Sequence, residues 1–349
     1  MKRLPPEFKK IFGARRRSSL RVLVLVDPLT VSEDDPNFEH IQDPDTASME
    51  HHIIAGLRSL KHHVDVLAFH LDTRRAVEQI QNSKADVAFN VVELVSGERR
   101  KSIAVPAILD LLGIPYTGCP AIGTSLSLDK AVSKQILNDQ GLSVPRFATW
   151  PVGAATPSRK LGFPIIVKPR FGGGSEGISL ASIVHKPDQL AKRVKYIHRK
   201  LQQPAICEEY IAGREISVGV LGNGKPLLVL PARETVFGGS GEGGPPIATD
   251  RVKSSKSYRE RWRVTYQKAD LTADLQSAAA TLARETYIHL ELTGYARIDM
   301  RLDPQRGPVF LEANANPDLS PRVFGVMASW VGISYEQLLS GILELAFQR

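Results

Sequence analysis

A chain of 349 residues, 42% of them hydrophobic and 23% charged, is long enough for two or three domains with separate cores. No apolar run reaches the ~18–20 residues of a membrane span, and the basic start lacks the apolar stretch of a secretory signal, so neither is expected. The formal net charge of +8 is concentrated at one end: Lys2, Arg3, Lys9, Lys10, Arg15, Arg16 and Arg17 stand against only Glu7 in residues 1–19, which leaves the rest near neutral and argues against a nucleic-acid-binding face on the folded part.

Residues 1–19 read as a solvated, partly ordered basic extension. Arg21–Val26 (RVLVLV) is a short, β-branched, uninterrupted apolar run, the pattern of a strand buried on both faces of a parallel sheet. A helix over 46–60, a strand over 63–69, a helix over 73–81, a strand over 85–92 and a helix over 102–112 closed by Gly113 follow. This alternation predicts a parallel α/β domain over residues 20–125. A helix over 126–141, broken by Val144-Pro145, opens a second unit over 126–212. It continues with a strand over 163–168, the glycine-rich RFGGGSEGIS, a basic amphipathic helix over 188–201 and a strand over 205–210. The third unit, 213–349, reads as strands over 215–221 and 226–231, a flexible stretch over 237–256, a helix over 271–290, strands over 294–302 and 307–312, and a last helix over 334–347. Cys119 and Cys207 are far apart and show no metal or redox spacing; Cys207, in PAICEEYI, reads as a buried free thiol, and a reducing cytoplasm is expected.

Five places carry candidate chemistry. Lys168 ends a strand and precedes RFGGGSEG, where glycines let backbone amides approach a polyphosphate and the lysine adds a compact positive charge. No Gly-Lys-Ser/Thr closes this loop, so it is not a Walker A loop, and a plain hairpin is the alternative. Asp129-Lys130 at a helix start is either a cap with a surface pair or a second phosphate cation. EEYIAGREI places Glu208 before an apolar hinge and Glu215 at the opening of a strand, where both could meet a nucleoside. GYARIDMRLD and FLEANANPDLSP, as adjacent antiparallel strands, bring Asp299, Glu312 and Asn314 together. That hard-oxygen set suits Mg²⁺, against the alternative of a structural salt bridge from Asp299 to Arg297 or Arg301. Lys253 lies in the Gly/Ser-rich stretch, where a mobile loop could close over phosphates.

Taken in order, GIPYTG, Asp129-Lys130, FPIIVKP with its glycine-rich turn, EEYIAGREISVGVLG, GYARID and LEANANP resemble the D-alanine–D-alanine ligases of the ATP-grasp superfamily, over about residues 85–349. The resemblance implies an N-terminal parallel α/β (pre-ATP-grasp) domain followed by a two-subdomain ATP-grasp fold, with ATP between the subdomains. It assigns Lys130 and Lys168 to the phosphates, Ser175 to the glycine-rich lid, Glu208, Tyr210 and Ile211 to the adenine, and Glu215 to the ribose. Lys253 is assigned to the loop that closes on the γ-phosphate. Asp299, Glu312 and Asn314 become ligands of two Mg²⁺ ions, with Mn²⁺ as the alternative metal, and Arg297 steadies the tetrahedral intermediate. The implied function is ATP-dependent joining of a carboxylate to an amine through an acyl phosphate. Amino acids are the expected substrates, and a homodimer through the first domain is part of the same resemblance.

The pattern departs from the family near the substrates. In place of a glycine-rich signature after the first strand stands VDPLTVSEDDPNFEHIQDPDTASME, in which Glu50 is the candidate replacement acid. The basic RRKS follows Gly97-Glu98, and Asp318 stands where the ligases have glycine. These differences favour a ligase for another carboxylate and amine over a true cell-wall D-alanine ligase. The reading from a different class, a non-catalytic ATP-binding module, is disfavoured by retention of Lys130, Lys168, Asp299, Glu312 and Asn314.

Overall fold

A computed structural model describes residues 6–13, 19–40, 43, 47–70, 72–154, 157, 160–238 and 246–348, with the side chains of Glu7, Lys10, Lys253 and Ser254 outside that description. The first unit comprises α1 (Pro6–Gly13), β1 (Arg21–Val26), α2 (Met49–Ser59), β2 (His63–Ala68), α3 (Thr73–Ser83), β3 (Val87–Asn90) and α4 (Ala104–Leu112). Its strands form a parallel sheet in the order β2-β1-β3. Central β1 is buried from Val22 to Val26, as its unbroken apolar run requires. Ser48 and Asp72 cap α2 and α3 by accepting from the amides of His51 and Arg75, and Gly113 ends α4 with φ +66°.

The single helix expected over 126–141 is two helices, α5 (Ala121–Leu128) and α6 (Lys130–Asp139). Asp129 leaves helical geometry between them and accepts from the amides of Ala131 and Val132, so the break is a cap built for α6. The second unit adds β4 (Phe147–Trp150), β5 (Ile165–Pro169), β6 (Ile183–Val184), α7 (Pro187–Tyr196) and β7 (Ala205–Glu209), with the antiparallel order β4-β7-β5-β6. Val194 of α7 and Ile197 just beyond it pack on Ile165, Val167 and Cys207, and the thiol is free and buried as expected.

The third unit runs β8 (Arg214–Gly222), β9 (Leu228–Val229), β10 (Arg233–Phe237), α8 (Asp250–Ser254), α9 (Lys256–Arg261), β11 (Val264–Lys268), α10 (Ala273–His289), β12 (Gly294–Asp303), β13 (Gly307–Asn314), α11 (Phe324–Ser329) and α12 (Tyr335–Ala346). Its sheet has the path β11-β10-β8-β12-β13, with β9 on β8. The strand expected over 226–231 shrinks to two residues between Pro226 and Pro231, neither of which can donate to a ladder. Residues 237–256, expected to be flexible, begin at the end of β10 and include α8.

The N-terminal extension is not simply solvated. Phe8 and Phe12 of α1 are buried in one core with Val22, Val24 and Val26 of β1 and with Leu338, Leu339 and Ile342 of α12. A side chain at Gly341 would collide with the Phe12 ring, so glycine permits the close approach of α1 to α12. Among the described residues no helix is long and apolar enough to cross a membrane.

Candidate active site

The third sheet builds one wall of a cavity of about 1010 Å³. Strand alternation puts Ile298 and Met300 of β12 into the core beneath and leaves Arg297, Asp299 and Arg301 on the other face. Asp299 pairs directly with Glu312 of β13, and Arg297 with Asn314, so the four side chains converge. Arg297 grips both Asp299 oxygens at 2.8 Å, and the Asn314 amide donates to Asp299 at 3.1 Å. Burial works against the charge on Arg297, but Asp299, Glu312 and Asp318 outweigh it and hold the guanidinium above its ordinary pKa. The Arg297–Asp299 pair foreseen as the structural alternative is therefore present, beside rather than instead of a converged oxygen set.

The second unit brings up the lysines. Lys130, the first residue of α6, stands 3.2 Å from Glu312 and also donates to the carbonyl of Gly172 in the glycine-rich turn. Asp129 is both the helix cap and a bidentate partner of Arg170, at 2.8 and 2.7 Å. Lys168 donates to Glu208 at 2.8 Å, and Lys134, one helical turn after Lys130, lies 3.0 Å from the other Glu208 oxygen. Lys134 and Glu208 are both fully buried. Desolvation pushes Lys134 down to about 8 despite Glu208. Desolvation also opposes ionisation of Glu208, but the two lysines hold its carboxyl below the usual range. Lys134 was missed in the sequence; its only signal was its spacing of four from Lys130 in DKAVSK, which puts both on one face of a helix.

Beside these charges lies a narrow slot. Ile166, Ile178, Ile211, Ile247 and Leu311 give it apolar sides, with Lys168, Glu208, Tyr210 and Glu215 among its polar lining. Arg301 organises one end: it donates to the Ile211 carbonyl at 3.0 Å, to the Tyr210 hydroxyl at 3.3 Å and to Glu215 at 3.1 Å. Ser175 lines the same slot from the glycine-rich turn, held at φ +65°. Apolar side chains on the walls, carboxylates in the lining and lysines beside it give this slot the mix of surfaces that a purine nucleotide needs.

The basic run after Gly97-Glu98 has a structural use. Arg99 pairs with Glu93 and lies against Gly173, where an added Cβ would be 3.0 Å from its side chain, and Arg100 stacks on Phe171 at 4.5 Å. The first unit thus touches the glycine-rich turn through these arginines. Asp318 lines the large cavity, while Glu50 is buried on α2, close enough to Asp27 to act on its charge. Lys253 falls within α8, and its side chain lies outside the described residues.

The residues fit a hard divalent cation. Asp299 and Glu312 supply opposed carboxylates and Asn314 an amide oxygen, the donor chemistry of Mg²⁺. Among the described residues no three His, Cys, Asp or Glu side chains converge into a metal site, so further ligands for a metal held here would come from phosphate oxygens and water.

Comparison with known proteins bears on this arrangement. The family model described as D-ala D-ala ligase C-terminus matches residues 136–344. An uncharacterized protein of Sinorhizobium fredii is 37% identical over 273 residues, 75% of either chain. A D-alanine–D-alanine ligase of Bordetella petrii is 32% identical over 242 residues, 68% of this chain and 70% of that one. Among solved structures, the D-alanine–D-alanine ligase of Bacillus anthracis complexed with ATP superposes with a TM-score of 0.72 at 21% identity, covering 95% of this chain and 98% of its own. The VanG D-Ala:D-Ser ligase of Enterococcus faecalis gives 0.67 at 18% identity, covering 94% and 100%. At such identities the likeness speaks for a shared fold, an N-terminal parallel sheet followed by two antiparallel units.

Proposed function

The chain belongs to the D-alanine–D-alanine ligase family, ATP-dependent and ADP-forming ligases, and from that premise we propose that it joins two amino-acid-like substrates, one through its carboxylate and the other through its amine. The observation that carries the reading is the directly opposed Asp299–Glu312 pair with Lys130 on Glu312.

In this proposal the adenine enters the slot between Ile166, Ile211 and Leu311, beside Glu208, Tyr210 and the lid residue Ser175. Glu215, held by Arg301, receives the ribose hydroxyls. Lys130 and Lys168 meet the phosphates, and Lys253 closes on them from α8. Asp299, Glu312 and Asn314 hold Mg²⁺, which when bound neutralises phosphate charge during transfer. The substrate carboxylate attacks the γ-phosphate, breaking its bond to ADP and forming an acyl phosphate. The incoming amine then attacks the acyl carbon, and phosphate leaves with the amide formed. Arg297, already on the cavity wall, neutralises the oxyanion of that second step. The same proposal includes cytoplasmic residence and a homodimer through the first unit.

D-alanine as both substrates is the second reading, favoured by the names of relatives such as the Bordetella petrii ligase. Asp318, where the resemblance places glycine, favours other substrates. The test is ADP and phosphate release with Mg²⁺-ATP and D- and L-amino acids, singly and in pairs, beside Glu312→Ala. Amino-acid-dependent release that disappears in Glu312→Ala is expected. Release by D-alanine alone would select the second reading, and absence of any stimulation would overturn the ligase proposal.

A further inference from the structure

One buried cation has no part in that scheme. Arg233, the first residue of β10, is 8% exposed and lines the large cavity. The other arginines on this face have carboxylate partners: Arg297 holds Asp299 and Arg301 holds Glu215. Among the described residues Arg233 has no hydrogen-bond or ion-pair partner for its guanidinium, which lies over the Tyr266 ring at 3.9 Å. Burial and the neighbouring Arg297 lower its pKa to about 10, which still leaves it charged at neutral pH. Asp299 and Asp318 favour its charge from a distance without outweighing burial and Arg297. A desolvated guanidinium that no carboxylate contacts directly is costly, so a cavity that keeps one is suited to an anion brought from outside.

The sheet register locates that anion. Arg233 pairs with Ser217 of β8, Ser217 with Asp299 of β12, and Asp299 with Glu312 of β13, so the four stand in one row on one face. With strands ~4.8 Å apart, the Arg233 backbone is roughly 10 Å from that of Asp299 and roughly 14 Å from that of Glu312. The phosphate-facing groups Lys130, Lys168 and the metal carboxylates gather at the β12–β13 end of the row, and Arg233 stands across β8 from them. Asp318 is close enough to act on the charge of both Arg233 and Arg297. A substrate with an ammonium group and an additional carboxylate complements such a wall.

We propose that Arg233 is a specificity determinant that receives a second carboxylate of the amino-acid substrate, so that the enzyme prefers a dicarboxylic amino acid of the aspartate or glutamate type over its uncharged amide or alanine. The inference rests on the ligase reading. A planar guanidinium can take a carboxylate through two parallel hydrogen bonds, which an amide cannot match in charge.

The experiment compares kcat/KM for ADP release with glutamate against glutamine and aspartate against asparagine, as D- and L-forms, each alone and paired with alanine, in wild type, Arg233→Met and Arg233→Lys. The dicarboxylic acid should exceed its amide by about 10- to 100-fold, the scale of one charge-assisted contact. Arg233→Met should abolish the preference with KM for ATP at the wild-type value, and Arg233→Lys should retain part of it. The wild-type comparison needs no variant to fold. Turnover of acids and amides alike by the wild type would overturn this inference and leave the ligase reading standing. A rise in KM for ATP in Arg233→Met with the preference intact would overturn it by assigning Arg233 to the phosphates. No stimulation by any amino acid would take down the ligase reading and this inference together.

Discussion

Asp299 and Glu312 face each other across the β12–β13 pair, and each already has a cation: both Asp299 oxygens are held by Arg297 at 2.8 Å, and Lys130 stands 3.2 Å from Glu312. Two carboxylates this close would repel each other if left alone. The two cations offset that repulsion and hold the pair in position, so the oxygen set is already assembled.

Asp299→Asn removes one of the two carboxylates proposed to hold Mg²⁺ and leaves Arg297 without its bidentate partner. ADP formation should fall roughly 100-fold or more, since a metal contributes several kcal/mol to stabilising charge in phosphoryl transfer. The half-saturating Mg²⁺ concentration should rise. A titration of rate against Mg²⁺ checks both, and an unchanged midpoint would remove Asp299 from the metal set.

The buried trio of Lys134, Glu208 and Lys168 predicts a stability effect. Glu208→Gln leaves two lysines in the interior without their shared carboxylate, and breaking such a pair costs about 3–5 kcal/mol. The further change Lys134→Met should recover part of the loss by removing one uncompensated charge. Denaturant midpoints of the single and double variants measure this, and additive losses would show that the groups are not coupled.

Asp27 predicts a pH dependence. Burial pushes its carboxyl up to about 6, against the amides of Leu94 and Glu93 that donate to it and with the help of nearby Glu93 and Glu50. The folded state therefore holds this proton more tightly than the unfolded chain, whose carboxyl titrates near 3.8. Between those two values the folded form binds more protons, so this group's contribution to stability falls as pH rises and is fully lost above about 6. Asp27→Asn should remove that slope, worth on the order of 3 kcal/mol across the window. Unfolding free energies from pH 4 to 7 for both proteins would expose it, and parallel curves would refute it.

Phe12→Ala should destabilise the protein by about 3–5 kcal/mol through the cavity left between α1 and α12. KM for ATP should not change, because no described residue of α1 lines the slot. Thermal unfolding of the variant and of a chain beginning after residue 18 would check this. Equal stability in all three would mean that the α1 contact contributes nothing.

Much was legible along the chain because it depends on local periodicity. The unbroken apolar run of β1 marks a parallel central strand, and a strand period of two puts Arg297 with Asp299, and Glu312 with Asn314, on one face each. The order of the glycine-rich turn, hinge and two acidic strands carried the family resemblance. Tertiary structure alone decided what depends on partners distant in sequence. Lys134 looks like an ordinary helix-surface cation until Glu208, brought by β7, and the Leu311 carbonyl, brought by β13, enclose it. Phe8 and Phe12 sit in a basic segment that reads as solvated until α12 covers them. Strand β10 escaped notice because Arg233, Glu234 and Thr235 are buried without being apolar. A sequence pattern records which side chains avoid water, whereas the burial of a charge becomes favourable only when the fold supplies its counter-charge or a cavity for a ligand that does.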